Sequence, residues 1–127
     1  MSILKAFTNH LKEFINDMQR VFPGDSDLRT SKIFLEGTIK INPKSVIVSW
    51  KECVNDVYYE KIIEGDIEFF INKDYSADLE GAQNKSKILQ TIGMFRTKMN
   101  NMDDENKKKC MKYIQNLTKL CHMYFSK

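Results

Sequence analysis

Proline and glycine are scarce, with two prolines and five glycines among 127 residues. So little punctuation excludes a fold of many short strands and tight turns and favours long helices. Long hydrophobic runs are missing too: no stretch approaches the roughly 20 apolar residues that a membrane-spanning helix needs. The first 22 residues carry Lys5, Asn9, Lys12, Glu13, Asn16 and Asp17, so they lack the unbroken apolar core of a secretory signal. The expected setting is therefore a cytosol-like compartment, without secretion. Cysteine is sparse and odd in number: Cys53, Cys110 and Cys121. Their spacing has no paired pattern, which points to buried, reduced thiols rather than a disulfide framework. Cys110 and Cys121 stand on one predicted helix, roughly 16 Å apart by its rise per residue, too far to bridge.

Familiar catalytic and ligating patterns are also lacking. Of the two histidines, His10 flanks the apolar stripe of its helix and His122 points away from its own, and neither has a second ligand three or four residues on. The cysteines form no zinc knuckle, and all three fall on predicted core faces, where thiols are inert. No glycine-rich phosphate loop and no Ser-His-Asp arrangement is legible. Asn72, Asp74, Ser76, Asp78 and Glu80 alternate like a calcium loop. The motif's sixth position is Ala77 where glycine is needed, however, and its twelfth is Gln83 where a bidentate glutamate is needed. Asn84-Lys85-Ser86 and Asn116-Leu117-Thr118 match the glycosylation pattern, by chance if the chain is not exported. Glu60/Glu64 and Asp66/Glu68 pair carboxylates, but nothing marks one as desolvated. The expectation is a non-enzyme without cofactor or metal.

What is present is helical periodicity. Hydrophobic residues make up 42% and charged residues 29%, a globular balance. Ile3, Leu4, Phe7, Leu11, Phe14, Ile15, Met18, Val21 and Phe22 recur at spacings of three and four, with Ser2 as cap and Pro23-Gly24 as stop. Asp25, Ser26 and Asp27 are cap candidates for a second helix over Leu28–Ile41, its inner side Leu28, Ser31, Phe34, Leu35, Thr38 and Ile39. Gly37 within it costs about 1 kcal/mol against alanine, and close approach of a neighbouring helix is the expected compensation. Asn42-Pro43 restarts the chain as cap and first turn. Val46, Ile47, Trp50, Cys53, Val54 and Val57 form the third stripe. A kink or break is expected after Asn55-Asp56, followed by a helix through Tyr58, Ile62 and Ile63 that Gly65 closes. Asp66 caps a short turn, Ile67 to Ile71, whose Phe69 and Phe70 plug the core. An irregular connection, Asn72 to Ala82, leads to a helix from Lys85 to Met102 with Ile88, Ile92, Phe95, Met99 and Met102 inward. Asp103 caps the last helix, with Cys110, Tyr113, Ile114, Leu117, Leu120, Cys121, Tyr124 and Phe125 inward. These elements predict one all-α domain over residues 1–127, a compact bundle of five to six helices.

Charge is unevenly placed. Glu52 to Glu80 holds nine acids against Lys61 and Lys73, and Lys85 to Lys127 holds ten bases against Asp103, Asp104 and Glu105. If the fold keeps these segments apart, the molecule has an acidic side and a basic side. Lys108, Lys112 and Lys119 lie within about 40° of one another on the helical wheel, beside Gln115 and opposite the apolar stripe. Lys107 and Lys109 flank that stripe. Such a face is either plain solvated surface or a contact for phosphates or an acidic partner. The run has no arginine, the residue that dominates base readout. A second candidate partner surface is Gly65 to Tyr75, with Asp66, Glu68, Asp74 and Tyr75. The bland reading, that Phe69, Phe70 and Tyr75 simply finish the core, outweighs it.

Taken whole, the chain resembles a family of short proteins encoded by large DNA viruses of algae and other protists. The residues that carry this are Leu11-Lys12-Glu13-Phe14-Ile15, Val21-Phe22-Pro23-Gly24-Asp25, Asn42-Pro43-Lys44, the run from Gly65 to Tyr75, and Lys112-Tyr113-Ile114-Gln115-Asn116-Leu117. The resemblance implies a viral protein acting in host cytoplasm or in the virion, and no functional residue carries over from it. The expected function is a non-enzymatic interaction or structural protein, such as a minor virion component. It would work by protein–protein interaction, docking on a larger assembly or self-associating through its electrical polarity. The alternative is a nucleic-acid-associated protein that binds phosphates through its basic C-terminal helix. An enzyme with an unfamiliar acidic site is a third reading, and would need a deep pocket lined by acids from the Glu52–Glu80 region.

Overall fold

The computed structural model describes residues 2–66, 68–69 and 86–126, apart from the side chains of Cys53, Val57, 86–89 and Ile92. In chain order it contains α1 (Ile3–Val21), α2 (Ser26–Ile41), α3 (Ser45–Trp50), a π-helical turn (Lys51–Asn55), α4 (Asp56–Ile63), α5 (Ser86–Asn100) and α6 (Asp104–Phe125). The described residues include no strand, and the fold is an all-α bundle around one hydrophobic core. No described helix is long and apolar enough to cross a membrane.

α1 starts where expected: the Lys5 backbone N–H donates to Ser2 Oγ at 3.2 Å, satisfying a donor that the first turn leaves unpaired. Its stripe of Phe7, Leu11, Phe14, Ile15 and Met18 is fully buried, each side chain stabilising the fold by roughly 1.5–3 kcal/mol through apolar burial. Phe7 meets Trp50 edge-on at 5.9 Å, and Phe14 meets Phe95 at 5.3 Å, a geometry that sets positive ring edges on negative faces. Gly24, at φ 83°, supplies the left-handed exit after Pro23.

α2 is capped by Asp25, which accepts the Leu28 N–H at 3.1 Å and the Lys98 ammonium of α5 at 2.6 Å. The Lys98 hydrogen bond, followed by the Leu28 N–H, holds the Asp25 carboxyl below its ordinary range. The same bond raises Lys98. A lowered carboxylate contributes stability that is present above its unfolded pKa of about 3.9 and lost as pH falls through the folded value. A raised lysine contributes stability that is present below about 10.4 and lost as pH rises through the folded value. The stability gap between the native chain and Asp25→Asn is therefore expected to be flat at neutral pH and to narrow at both extremes. Urea denaturation across pH 2–11 checks this, and a gap that stays constant through acid would refute it.

Leu28 and Leu35 are buried, Ser31, Phe34, Thr38 and Ile39 are half-buried, and Gly37 is exposed. The expected helix contact at Gly37 is absent among the described residues: a Cβ there would meet nothing within 4 Å. Gly37→Ala should accordingly stabilise the monomer by about 0.5–1 kcal/mol, since it removes unfolded-state freedom without a clash. Chemical denaturation of dilute protein measures it.

Asn42 does not cap α3. Its backbone N–H ends α2 by donating to the Thr38 carbonyl at 2.8 Å, and its Oδ1 accepts the Lys44 N–H at 3.3 Å, a local turn that delays the next helix to Ser45. Where a kink or break was expected after Asn55-Asp56, the irregularity is a π-turn that ends at Asn55. The chain stays helical and widens by one residue over Lys51–Asn55. Trp50, Val54, Tyr58 and Ile62 are all buried, three successive intervals of four. A 3.6-residue helix would rotate such a series off the core, and a π-turn absorbs the surplus residue. Gly65, at φ 80°, closes α4: its N–H reaches the Ile62 carbonyl at 2.9 Å, and the Asp66 N–H reaches Lys61 at 3.0 Å. Asp66 then accepts the Phe69 N–H at 3.0 Å, and Phe69 packs against the core. Ile67, Phe70, Ile71, the expected connection over Asn72–Ala82 and the Lys85 helix start lie outside the described residues. In α5, Phe95, Met99 and the following Met102 are buried as expected. The side chains of Ile88 and Ile92 are not described.

Candidate functional site

α6 is the platform for the candidate site. Asp103 Oδ1 accepts the Asn106 N–H at 2.9 Å, and Asp104 and Glu105 sit in the first turn, where the positive helix end favours acids. Neither glycine nor proline interrupts its 22 residues. Its inner stripe is Cys110, Met111, Ile114, Leu117, Thr118 and Cys121. Met111 and Thr118 lie inward although the apolar pattern did not select them. Thr118 is a junction: its Oγ1 accepts the Trp50 indole N–H at 3.3 Å, and its carbonyl accepts the Asn55 amide at 3.0 Å. Tyr113 donates to Asp17 of α1 and stacks on Phe14 at 5.4 Å. Burial and the Asp17 hydrogen bond push its phenol up to about 12. α6 is thus fastened to α1, the π-turn and α4 along most of its length.

The outer face keeps Lys108, Lys109, Lys112 and Lys119 exposed and Lys107 half-buried. No ion pair among the described residues engages these five. Lys108 to Lys119 spans about 16 Å along the axis at 1.5 Å per residue. Met123 continues the ridge, 53% exposed, whereas Phe125 lies on the inner side of the wheel and is 39% exposed at the last turn. Phe125, expected inward, is thus partly outside, with the Lys51 ammonium over its ring at 5.6 Å. Gln115, expected beside the lysines, turns inward. Its amide donates to the Ile62 and Ile63 carbonyls at 3.1 and 3.3 Å and satisfies acceptors that the end of α4 leaves open.

That contact corrects the picture of opposite charges held apart. α4, from the acidic segment, packs directly on basic α6, and a Cβ at Gly65 would lie 3.3 Å from the Gln115 amide. Gly65 therefore meets Gln115, which is one helical turn along α6 from Lys112 and Lys119. Apolar burial drives this packing, and sequence order has no say in it. Asp66 is half-buried and Glu68 exposed, while Asp74 and Tyr75 lie outside the described residues.

Sequence reasoning missed a cleft of about 340 Å³ beside the π-turn, lined by Lys51, Asn55, Asp56, Tyr59, His122 and Phe125 among others. The Tyr59 and His122 rings meet tilted at 5.0 Å, and Lys51 pairs with Asp56 at 3.1 Å. Its one visible signal was the fourfold spacing from Trp50 to Ile62. Cys121 borders the cleft, but burial pushes its thiol up to about 12, so it is protonated and no nucleophile at neutral pH. Among the described residues no group of three or more His, Cys, Asp or Glu side chains could hold a metal ion. His10, the boundary histidine, stacks on Tyr113 at 4.8 Å with Glu13 at 3.6 Å. Comparison with known protein families, curated proteins and solved structures found no match.

Proposed function

We propose that this protein is a non-enzymatic interaction protein that docks on a larger assembly through the outer face of α6. The observation that carries the reading is a row of exposed lysines that make no ion pair among the described residues, on a helix held rigid from behind. Rigid presentation lowers the ordering cost of binding. The row ends in exposed Met123 and begins beside Asp104 and Glu105. This mixture of lysines, an apolar tip and acids suits an acidic protein surface better than a uniform phosphate track. The resemblance to proteins of large DNA viruses makes the virion the assembly in view, with this chain as a minor component.

Affinity capture from infected cells tests the reading, using the intact chain and a Lys108→Glu, Lys112→Glu, Lys119→Glu variant. The expected result is a protein partner, present in purified particles, that the variant loses by at least tenfold. The competing reading is phosphate binding, favoured by the unpaired lysines alone. Its mark would be affinity for duplex DNA or RNA that falls steeply with salt, with a slope that drops by about one per lysine removed.

A further inference from the structure

We infer that the outer face of α2 is a self-association surface that seats a second copy of this chain, antiparallel, across a two-fold axis at Gly37. Ile33 and Ile41 flank Gly37 at four residues on either side and are 67% and 87% exposed. No other large hydrophobic side chain among the described residues stands so far into solvent. Gly37 is exposed, and its backbone faces open space. A glycine in mid-helix weakens the helix, and nothing among the described residues requires it. Its missing side chain suits close approach of another backbone, which a second copy supplies from outside.

The row is self-complementary. With two copies antiparallel about Gly37, Ile33 of each packs on Ile41 of the other and the two glycines meet at the crossing, which satisfies the isologous requirement that the same patch serve both sides. The charges agree. Glu36 and Lys40 are exposed on one flank of the row and make no ion pair among the described residues. The two-fold carries each flank onto its own copy in reverse order, which sets Glu36 about 3 Å along the axis from the partner's Lys40, twice over. A parallel pairing would leave both charges without these partners. A single 16-residue helix is a small contact beside the roughly 1,200–2,000 Å² of a standard interface, so the dimer is weak, on the order of micromolar. The surface is separate from the α6 lysines and stands without them.

Sedimentation equilibrium from about 1 µM to 1 mM tests the inference. The intact chain is expected to dimerise within this range. Ile41→Glu should weaken dimerisation at least tenfold with unchanged helical circular dichroism, since the side chain it replaces is outside the core. Glu36→Lys should weaken it, and Glu36→Lys combined with Lys40→Glu should restore it. The α6 triple variant should dimerise normally, which separates this inference from the docking proposal. A chain that stays monomeric to 1 mM, or a dimer indifferent to Ile41→Glu, would overturn it. So would failure of the charge exchange to restore association.

Discussion

Trp50→Ala is expected to lower the unfolding free energy by about 3–5 kcal/mol, the usual cost of emptying a large aromatic site. Trp50 is 1% exposed and heads the fully buried side chains by volume. Its ring meets Phe7 of α1, and its indole N–H donates to Thr118 of α6, so one side chain joins three elements immediately before the π-turn. Alanine leaves a cavity where α1, α3 and α6 converge and deprives the Thr118 hydroxyl of a donor. Total stability of a domain this size is about 5–15 kcal/mol, so the loss is a large share of the whole. Trp50→Phe keeps most of the volume and should cost about half as much. Because Trp50 is the single tryptophan, its fluorescence follows native unfolding, and circular dichroism in urea compares the variants. A loss below about 1 kcal/mol for alanine would mean the three helices do not meet there.

The second large effect is chemical. Burial pushes the Cys110 thiol up to about 12, with the Asp17 charge adding to it and Lys109 opposing. Cys121 rises to about 12 by burial, against the pull of Lys51. Cys110 Sγ lies 3.5 Å from Met102 Sδ, and Cys121 Sγ lies 3.6 Å from the Ile47 carbonyl. At pH 8 a rise from the ordinary 9.0 to about 12 cuts the thiolate fraction on the order of a thousandfold. Iodoacetamide should therefore modify both residues at least that much more slowly in the folded chain than in urea, read site by site by peptide mass spectrometry. Folded pKa values above the unfolded ones also fix the sign of the linkage. The thiols contribute stability that is complete below the ordinary 9.0 and is lost as pH rises toward 12. Alkylation of Cys110 or Cys121 at the unfolded rate would contradict their burial.

The helices were legible because their signals are local. A stripe such as Phe7, Leu11, Phe14, Ile15 and Met18 repeats at the period of one helix, and caps such as Ser2, Asp25 and Asp103 act on backbone groups three residues away. Gly24 and Gly65 announced their turns for the same reason. The candidate site was half legible: the outward lysines of α6 follow from the wheel, while Gln115 does not. Its position on that wheel gives no hint that the open carbonyls of α4 would claim it. Thr118 was overlooked because a hydroxyl adds nothing to an apolar pattern, though it anchors both Trp50 and Asn55.

By itself, then, the order of residues determined that the chain is all-α, where most helices begin and end, and which side of each is greasy. Only the tertiary structure decided which greasy sides meet. It set acidic α4 against basic α6, gave the expected kink or break the form of a π-turn, buried Thr118, and left Gly37 facing solvent between two exposed isoleucines. The physical reason is range: hydrogen bonds and caps act within one turn of helix, whereas burial is a contest among all apolar faces at once, settled by shape and volume that no single segment contains.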